Sequence, residues 1–235
     1  MHIVIEGPDY SGKSTVSERL YAASVQCPGI STSFKMHQPG DTRLGEGLRS
    51  LLKDKDVRID GKSTQLLLTA ADHHEFVYQR LMGMYHFMRQ KGKRVCLIQD
   101  RHSGISGYAY QVVANGADPK LFRQLYTINA NIRKFQVPDR VYLLIPSLDT
   151  IRARMVTRGT PKDRYENLDY LAKVLKGYNA VAEKGILPRR IYKVINANLS
   201  QDTVYKLILS DMMKQGPELR HLADYAIANL TLVGK

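Results

Sequence analysis

The sequence predicts an α/β fold of three layers, in which helices cover both faces of a five-stranded parallel sheet. Five short apolar segments alternate along the chain with helical patterns, which is typical of a parallel sheet buried on both faces. These segments lie at residues 2–6, 31–36, 95–98, 141–145 and 190–195. A glycine-rich loop follows the first segment and leads into the first helical pattern, a connection that often carries function.

The loop GPDYSGKST, residues 7–15, matches the pattern G-x-x-x-x-G-K-[ST] of a phosphate-binding loop. Its glycines let successive backbone N–H groups point at an anion. Lys13 can reach the β- and γ-phosphates, and the Ser14 hydroxyl is placed to bind Mg²⁺. The pattern therefore predicts a P-loop NTPase fold and a nucleoside triphosphate site that includes Gly7, Tyr10, Ser11, Gly12, Lys13, Ser14 and Thr15.

Helical patterns fill the intervals between the apolar segments. Helices are predicted at about 42–53, 63–90, 118–132, 147–157, 167–184, 200–214 and 217–232. No repeat, low-complexity segment or linker interrupts the chain. A single domain spanning residues 1–235 is therefore predicted, with a C-terminal helical extension at about 217–235.

The composition describes an ordinary globular protein, with 43% hydrophobic and 24% charged residues. No apolar run approaches the ~20 residues that span a bilayer, so no membrane partner is expected. Cys27 and Cys96 are isolated, which favours a reducing compartment and a cytoplasmic location. The net charge of +13 favours a polyanionic partner. Bound nucleotides explain it better than nucleic acid, because no run of five basic residues and no aromatic–basic alternation occurs.

Asp100 and Arg101 follow the third apolar segment and its neighbour Gln99. They are predicted at the carboxyl end of a central strand, the edge that faces the ligand crevice in parallel sheets. A carboxylate there can hold a water of the Mg²⁺ shell, and the Arg101 guanidinium can bring a fork of donors to phosphate oxygens. An aspartate that merely ends a strand is the alternative.

A second basic group crosses the Gly159-Thr160-Pro161 break and consists of Arg152, Arg154, Arg158, Lys162 and Arg164. Cations around a Gly-Pro break predict a short mobile lid at about 158–166, which would neutralise charge in the transition state. Arg158, Lys162 and Arg164 are the candidate catalytic cations, with a solvated helix face as the alternative. For Arg152 and Arg154 the solvated face is the preferred interpretation.

Six segments, in order, resemble the thymidylate kinase family over roughly residues 2–210. They are GPDYSGKST, HQPGDTRLGEGLRSLL, LLTAADHHEF, DRHSGISGYAYQ, PDRVYLLIP and RGTPKDRYEN. The resemblance implies a homodimeric kinase that uses ATP and Mg²⁺ to convert dTMP to dTDP by positioning and charge neutralisation. It implies that Arg49 grips the acceptor phosphate, that Arg101 binds the substrate and helps to neutralise charge, and that Asp9 lies toward the sugar 3′-hydroxyl. It also implies base contacts from Ser106, Tyr110 and Gln111.

The predicted nucleobase pocket departs from the family pattern. Thr69 stands where the family has a stacking Phe, and His73 stands where it has an Arg that hydrogen-bonds the base. Losing a ring face and a guanidinium removes on the order of 1–3 kcal/mol each. One residue is inserted between Arg101 and Ala109. Tyr10 replaces a loop arginine of some family members, which assigns that charge to the lid.

Two alternatives to thymidylate stay open at this point. Another or modified pyrimidine monophosphate is suggested by Thr69 and His73, and polymeric DNA is suggested by the charge of +13. Asp9, Arg49 and the 106–111 segment favour a mononucleotide pocket over an open groove. His73 and His74 do not favour a metal site, because adjacent helical residues point about 100° apart.

Overall fold

The computed structural model describes residues 1–54, 56–88, 90, 92–128, 137–159 and 167–233. The strands are β1 (His2–Glu6), β2 (Thr32–His37), β3 (Val95–Asp100), β4 (Arg140–Ile145) and β5 (Tyr192–Asn196). They form one parallel sheet in the order β2-β3-β1-β4-β5. The predicted five-stranded parallel sheet is confirmed.

Helices connect the strands and continue beyond the last one. The α-helices are α1 (Lys13–Gln26), α2 (Arg43–Lys53), α3 (Thr64–Phe76), α4 (Met82–Met88), α5 (Ser103–Ser106), α6 (Pro119–Ile128), α7 (Leu148–Arg158), α8 (Leu168–Lys184), α9 (Gln201–Met212) and α10 (Pro217–Val233). A π-helical segment, Val77–Leu81, joins α3 to α4, and a second, Gly107–Ala114, continues α5. A 3₁₀ turn, Arg189–Ile191, precedes β5.

The two faces of the sheet belong to separate hydrophobic clusters. Alternate side chains of a strand point to opposite faces. Ile3 and Ile5 pack with α1, α9 and α10, whereas Val4 packs with α8 and with Ile105 and Ala109 of the α5 region. This arrangement produces the three predicted layers and leaves the carboxyl ends of β1 and β3 beside the glycine-rich loop.

The second π-helical segment was not predicted, and it begins within the stretch between Arg101 and Ala109 where one residue is inserted. Where this segment ends, the Asn115 amide donates to the carbonyl of Tyr110, five residues earlier, at 3.0 Å. A bond of this span accommodates an extra residue within a helix, and such segments are frequent at functional sites. The segment packs closely on α8, because a Cβ on Gly177 would lie only 2.6 Å from the Ala109 Cα.

The C-terminal helix α10 packs against α1 and α9. Leu219, Leu222 and Ala223 are buried in the same cluster as Ile3 and Ile5. The N-terminal ammonium of Met1 lies 3.7 Å from Glu218 Oε2 and donates to the Val95 carbonyl at 2.6 Å. Among the described residues, no helix has the length and apolar character needed to span a bilayer. Cys27 and Cys96 are buried free thiols.

Candidate active site

The loop between β1 and α1 is held in a conformation that requires glycine at its first position. A Cβ on Gly7 would lie 2.3 Å from the Leu144 carbonyl oxygen, and Gly12 has a φ of 90° where α1 begins. The positive end of the α1 dipole therefore faces the loop interior, where an anion is favoured. Ser11 is buried in this loop, and Thr15 lies in the first turn of α1.

Lys13 lies inside the loop and contacts the loop backbone. Its Nζ donates to the Pro8 carbonyl at 2.7 Å and lies 4.0 Å from Asp9 Oδ1. Burial, together with the positive charge of Arg101, lowers the pKa of Lys13 to about 8. The ammonium thus retains its charge at neutral pH, where it can attract phosphate oxygens.

Ser14 and Asp100 meet at the ends of α1 and β3. The Ser14 hydroxyl donates to Asp100 Oδ2 at 2.9 Å. Asp100 is the last residue of β3 and lies opposite Ile5 of β1. Hydroxyl and carboxylate oxygens are the ligands that Mg²⁺ prefers, so these two residues fit the ion that the resemblance implies.

Arg101 connects the loop to two helices through its guanidinium. Its Nη2 donates to Asp9 Oδ1 at 2.5 Å and to the Tyr110 hydroxyl at 3.0 Å. Its Nη1 donates to the Tyr178 hydroxyl at 3.1 Å and to the Gly7 carbonyl at 3.4 Å. Although burial alone raises the pKa of Asp9, the charges of Arg101 and Lys13 hold it at about 2. The arginine plane is therefore fixed by both of its terminal nitrogens.

Glu6 holds together the loop and the helices around Arg101, a role that the sequence analysis did not identify. It is fully buried, and its Oε1 accepts from the His102 amide at 2.5 Å and from the Ser106 hydroxyl at 2.7 Å. Its Oε2 accepts from the Tyr178 hydroxyl at 2.7 Å and from the Gly7 amide at 3.1 Å. A carboxylate ending an apolar strand, directly before the loop, was the available signal for this role.

A cavity of ≈ 290 Å³ opens beside the loop. It brings together nine of the predicted site residues, which are Asp9, Ser14, Arg49, Thr69, Arg101, Ser106, Tyr110, Gln111 and Arg158. Arg49 is held at one side by donating to the Pro39 carbonyl at 3.1 Å. Gln111 is held at another, since its Oε1 accepts from Asn115 Nδ2 at 2.8 Å. The cavity therefore combines three arginines, Arg49, Arg101 and Arg158, with polar groups of fixed orientation.

The sequence of this chain matches the model of a known protein family along most of its length. The family model for thymidylate kinase matches residues 5–208. The chain belongs to the thymidylate kinase family. A thymidylate kinase from Prochlorococcus marinus is 34% identical over 214 residues, which cover 88% of this chain and 89% of that relative. One from Pelotomaculum thermopropionicum is 31% identical over 223 residues, covering 92% of this chain and 93% of the relative.

The fold agrees with a solved member of the family. The crystal structure of thymidylate kinase from Ehrlichia chaffeensis covers 91% of this chain and 98% of its own, with a TM-score of 0.65 and 23% identity. The predicted P-loop NTPase fold and the resemblance are confirmed. Family membership also confirms the prediction of an ATP-dependent nucleoside monophosphate kinase, with dTMP as the acceptor to which the family name refers.

Two of the departures from the thymidylate kinase pattern, Thr69 and His73, lie in different places. Thr69 lines the cavity, and its hydroxyl donates within α3 to the carbonyls of Gln65 and Leu66. His73 is buried and lines a smaller pocket of ≈ 30 Å³, whose wall shares Thr69 with the main cavity. Its Nδ1 lies 3.2 Å from Nε2 of Gln38, which lines the main cavity. The side chain that does reach the cavity from this part of α3 is Asp72. Since Asp72 is three residues after Thr69, the two share a helix face.

Asp72 is a buried carboxylate that sequence reasoning missed. It is 3% exposed, and its Oδ1 has no hydrogen-bond partner among the described residues. It packs against Gly45, where a Cβ would lie 2.3 Å from that oxygen. Burial, with a further contribution from Asp41, raises the pKa of Asp72 to about 6.

Asp72→Asn is expected to stabilise the protein at pH 8 by about 1–3 kcal/mol, because the buried ionised carboxylate then becomes a neutral amide. At pH 4 the gain should vanish, since Asp72 is protonated in the folded protein below its raised pKa of about 6. Thermal unfolding at both pH values measures this difference. Asp224→Asn, on the exposed side of α10, is the control and should shift neither melting temperature. A lower melting temperature of Asp72→Asn at pH 8 would contradict the expected sign.

The basic residues of α7 have distinct environments. Arg152 is exposed and pairs with Asp149 at 3.0 Å, as the solvated-face interpretation expects. For Arg154 that interpretation is wrong, because its Nη1 donates to the Tyr10 carbonyl at 2.8 Å and its Nη2 to the Ala197 carbonyl at 2.7 Å. The contact between Arg154 and Tyr10 joins residues 144 positions apart, so no local sequence pattern could predict it.

Arg158 ends α7 and lies over the glycine-rich loop. Its guanidinium carbon is 5.3 Å from the centre of the Tyr10 ring, and the residue lines the cavity. Tyr10 has a φ of 65°, a left-handed conformation that costs a non-glycine residue about 1–3 kcal/mol. Lys162, Arg164 and most of the predicted lid, about 158–166, lie outside the described residues.

Proposed function

We propose that this chain transfers the γ-phosphoryl group of MgATP to the 5′-phosphate of dTMP, giving ADP and dTDP. One observation carries the proposal: Asp9 and Ser14 of the P loop line the same cavity as Arg49 and Arg101. A phosphate monoester held there would lie next to the terminal phosphate of a nucleotide bound by the loop. Membership in the thymidylate kinase family supports dTMP as the acceptor.

Charge neutralisation is the main requirement of this reaction. The acceptor is already an anion, so the enzyme has little need of a general base and must mainly bring two anions together. We assign Lys13 to the donor phosphates, Arg49 to the acceptor phosphate and Arg101 to the region between them. Because the Arg101 guanidinium is held through both terminal nitrogens, its charge is oriented before the substrates arrive.

Magnesium fits the oxygen atoms at the end of β3. Ser14 and Asp100 would hold the ion, with Asp100 acting partly through water. When bound, the ion adds positive charge at the donor phosphates. Arg158 would add a further charge at the cavity, and the roles of Lys162 and Arg164 stay predictions.

The wall of the cavity offers oriented polar groups to a nucleobase. Gln111 is oriented by Asn115, whose Oδ1 also accepts from the Tyr170 hydroxyl at 3.0 Å. We infer that Tyr110 and Gln111 lie toward the base and that Asp9 lies toward the sugar. The Ser106 hydroxyl is already donated to Glu6, so Ser106 would shape the wall rather than donate to the base.

Thr69 favours a second candidate, the same reaction on another or modified pyrimidine monophosphate. Its short side chain stands in the cavity where the family pattern places a ring, which removes a stacking surface. A panel of coupled assays distinguishes the candidates, using MgATP with each deoxynucleoside monophosphate, 5-substituted pyrimidine monophosphates and single-stranded DNA. The expected result is the highest kcat/KM with dTMP. A higher value with another base would favour the second candidate, and phosphorylation of DNA alone would refute both.

We also infer a single-domain, cytoplasmic homodimer. The two buried free thiols support a reducing compartment. Several large apolar side chains on the α3–α4 helix are exposed and would suit a subunit contact, namely Leu67, Tyr78, Met82 and Phe87. The packing of α10 into the main cluster supports one domain that includes the C-terminal helix.

A further inference from the structure

Tyr10 stands at a position in the P loop where the backbone favours glycine. Its φ of 65° lies in the left-handed region, which is strained for a residue with a β-carbon. Among the described non-glycine residues, only Tyr10 and Arg101 have a positive φ, and both lie at the active site. Backbone strain of this kind persists where the surrounding structure gains from the residue. We therefore expect the Tyr10 side chain to have a role at the active site.

The backbone of Tyr10 is tied to α7. Arg154 donates to the Tyr10 carbonyl at 2.8 Å and, through its other terminal nitrogen, to the Ala197 carbonyl at 2.7 Å. The last turn of α7 is thus fixed relative to the P loop. Arg158 lies four residues after Arg154, so both side chains extend from the same side of the helix.

The ring of Tyr10 lies under the guanidinium of Arg158. The distance of 5.3 Å from the guanidinium carbon to the ring centre is within the range of a cation–π contact. Arg158 also lines the cavity of ≈ 290 Å³ beside the loop, together with Ser14 and Arg101. The ring therefore contacts the one cation of α7 that reaches this cavity within the described part of the chain.

We propose that Tyr10 is a positioning residue, whose ring holds the Arg158 guanidinium at the cavity for phosphoryl transfer. The inference rests on the proposed function and adds a role that the loop pattern does not contain. The P loop has no arginine at this position. Instead, the aromatic ring of Tyr10 would hold the Arg158 guanidinium, which comes from α7, at the cavity. Since the ring acts through Arg158, its effect should be on turnover more than on ATP binding.

A double-mutant cycle tests the proposal with Tyr10→Leu, Arg158→Met and the combined variant, each assayed at saturating ATP and dTMP. Tyr10→Leu is expected to lower kcat about three- to tenfold, with the KM for ATP within about twofold of the parent. Tyr10→Phe keeps the ring and should recover most of the lost turnover. In the Arg158→Met background, Tyr10→Leu should cause no further loss. An equal loss in both backgrounds, or no loss from Arg158→Met itself, would overturn the proposal.

Tyr10→Gly separates the ring from the backbone strain. Glycine adopts a φ of 65° without penalty, so this variant should melt no lower than the parent while losing as much turnover as Tyr10→Leu. Parent-like turnover in Tyr10→Gly would show that the ring is not used.

A readout independent of activity uses the Arg158 Nε–Hε resonance in a ¹H–¹⁵N correlation spectrum, assigned by its absence in Arg158→Met. Loss of the ring current in Tyr10→Leu should move this resonance downfield, whereas Tyr10→Phe should leave it near its parent position. An unmoved resonance in Tyr10→Leu would refute the contact. If the parent failed to phosphorylate dTMP, the proposed function would fall, and the spectrum alone would decide whether Tyr10 holds Arg158.

Discussion

Replacing Arg101 with lysine is expected to lower kcat by about 10²–10³-fold, the usual cost of removing one oriented donor from a transition state. The guanidinium donates through Nη2 to Asp9 and Tyr110 and through Nη1 to Tyr178. A lysine keeps the charge, but its single ammonium cannot reach both sets of partners at once. Steady-state kinetics with MgATP and dTMP measures the loss.

Arg152→Lys is the matched control for this substitution. Arg152 is exposed on α7 and pairs only with Asp149, one turn away, among the described residues. Surface pairs of this kind contribute about 0–1 kcal/mol, so kcat should stay within about twofold of the parent. Equal kcat values for Arg101→Lys and Arg152→Lys would remove Arg101 from the proposed mechanism.

Gly177→Ala is expected to lower the melting temperature by roughly 3–8 °C, although alanine is the better helix former. The added Cβ would lie 2.6 Å from the Ala109 Cα and 2.8 Å from the Ala109 carbonyl oxygen. Both of these atoms belong to backbone that cannot rotate away, so α8 must move from the second π-helical segment. Overpacking of this kind costs about 1–3 kcal/mol. Turnover should fall as well, because the next residue, Tyr178, links Glu6 to Arg101.

Gly47→Ala provides the opposite case in α2. A Cβ on Gly47 would have no neighbour within 4 Å among the described residues, so the substitution should stabilise the protein by up to about 1 kcal/mol. Differential scanning calorimetry of the two variants compares the same chemical change in two environments. A gain in melting temperature for Gly177→Ala equal to that of Gly47→Ala would show that α8 and the π-helical segment can separate at no cost.

Local patterns in the sequence were sufficient for the sheet and the P loop. Apolar segments predicted all five strands to within about two residues, because a buried parallel strand is apolar on both faces. The loop pattern placed Lys13 and Ser14 correctly at the start of α1, since each glycine has a strict backbone role. The segment 103–114 was missed as a helix because its later bonds span five residues and obscure the 3.6-residue period.

Contacts between distant residues were beyond the reach of sequence patterns. The bond between Glu6 and Tyr178 joins residues 172 positions apart, and the sequence around Glu6 does not identify Tyr178 as its partner. His73 matches a base-contacting position of the family and lines the smaller pocket, whereas its neighbour Asp72 lines the main cavity. One residue along a helix turns a side chain by about 100°, a difference that alignment alone does not resolve.

A change in the length of the second π-helical segment would alter the wall of the cavity in a way that single substitutions do not. Each helical residue turns the chain by about 100°, so deleting one residue between Arg101 and Tyr110 would turn Tyr110 and Gln111 by that angle relative to Arg101. The sheet would keep its register, since β3 ends before the segment and α6 begins after it. Insertion or deletion at this point would therefore change which side chains of the segment face the cavity, while Ser14 and Asp100 would keep their contact at the ends of α1 and β3.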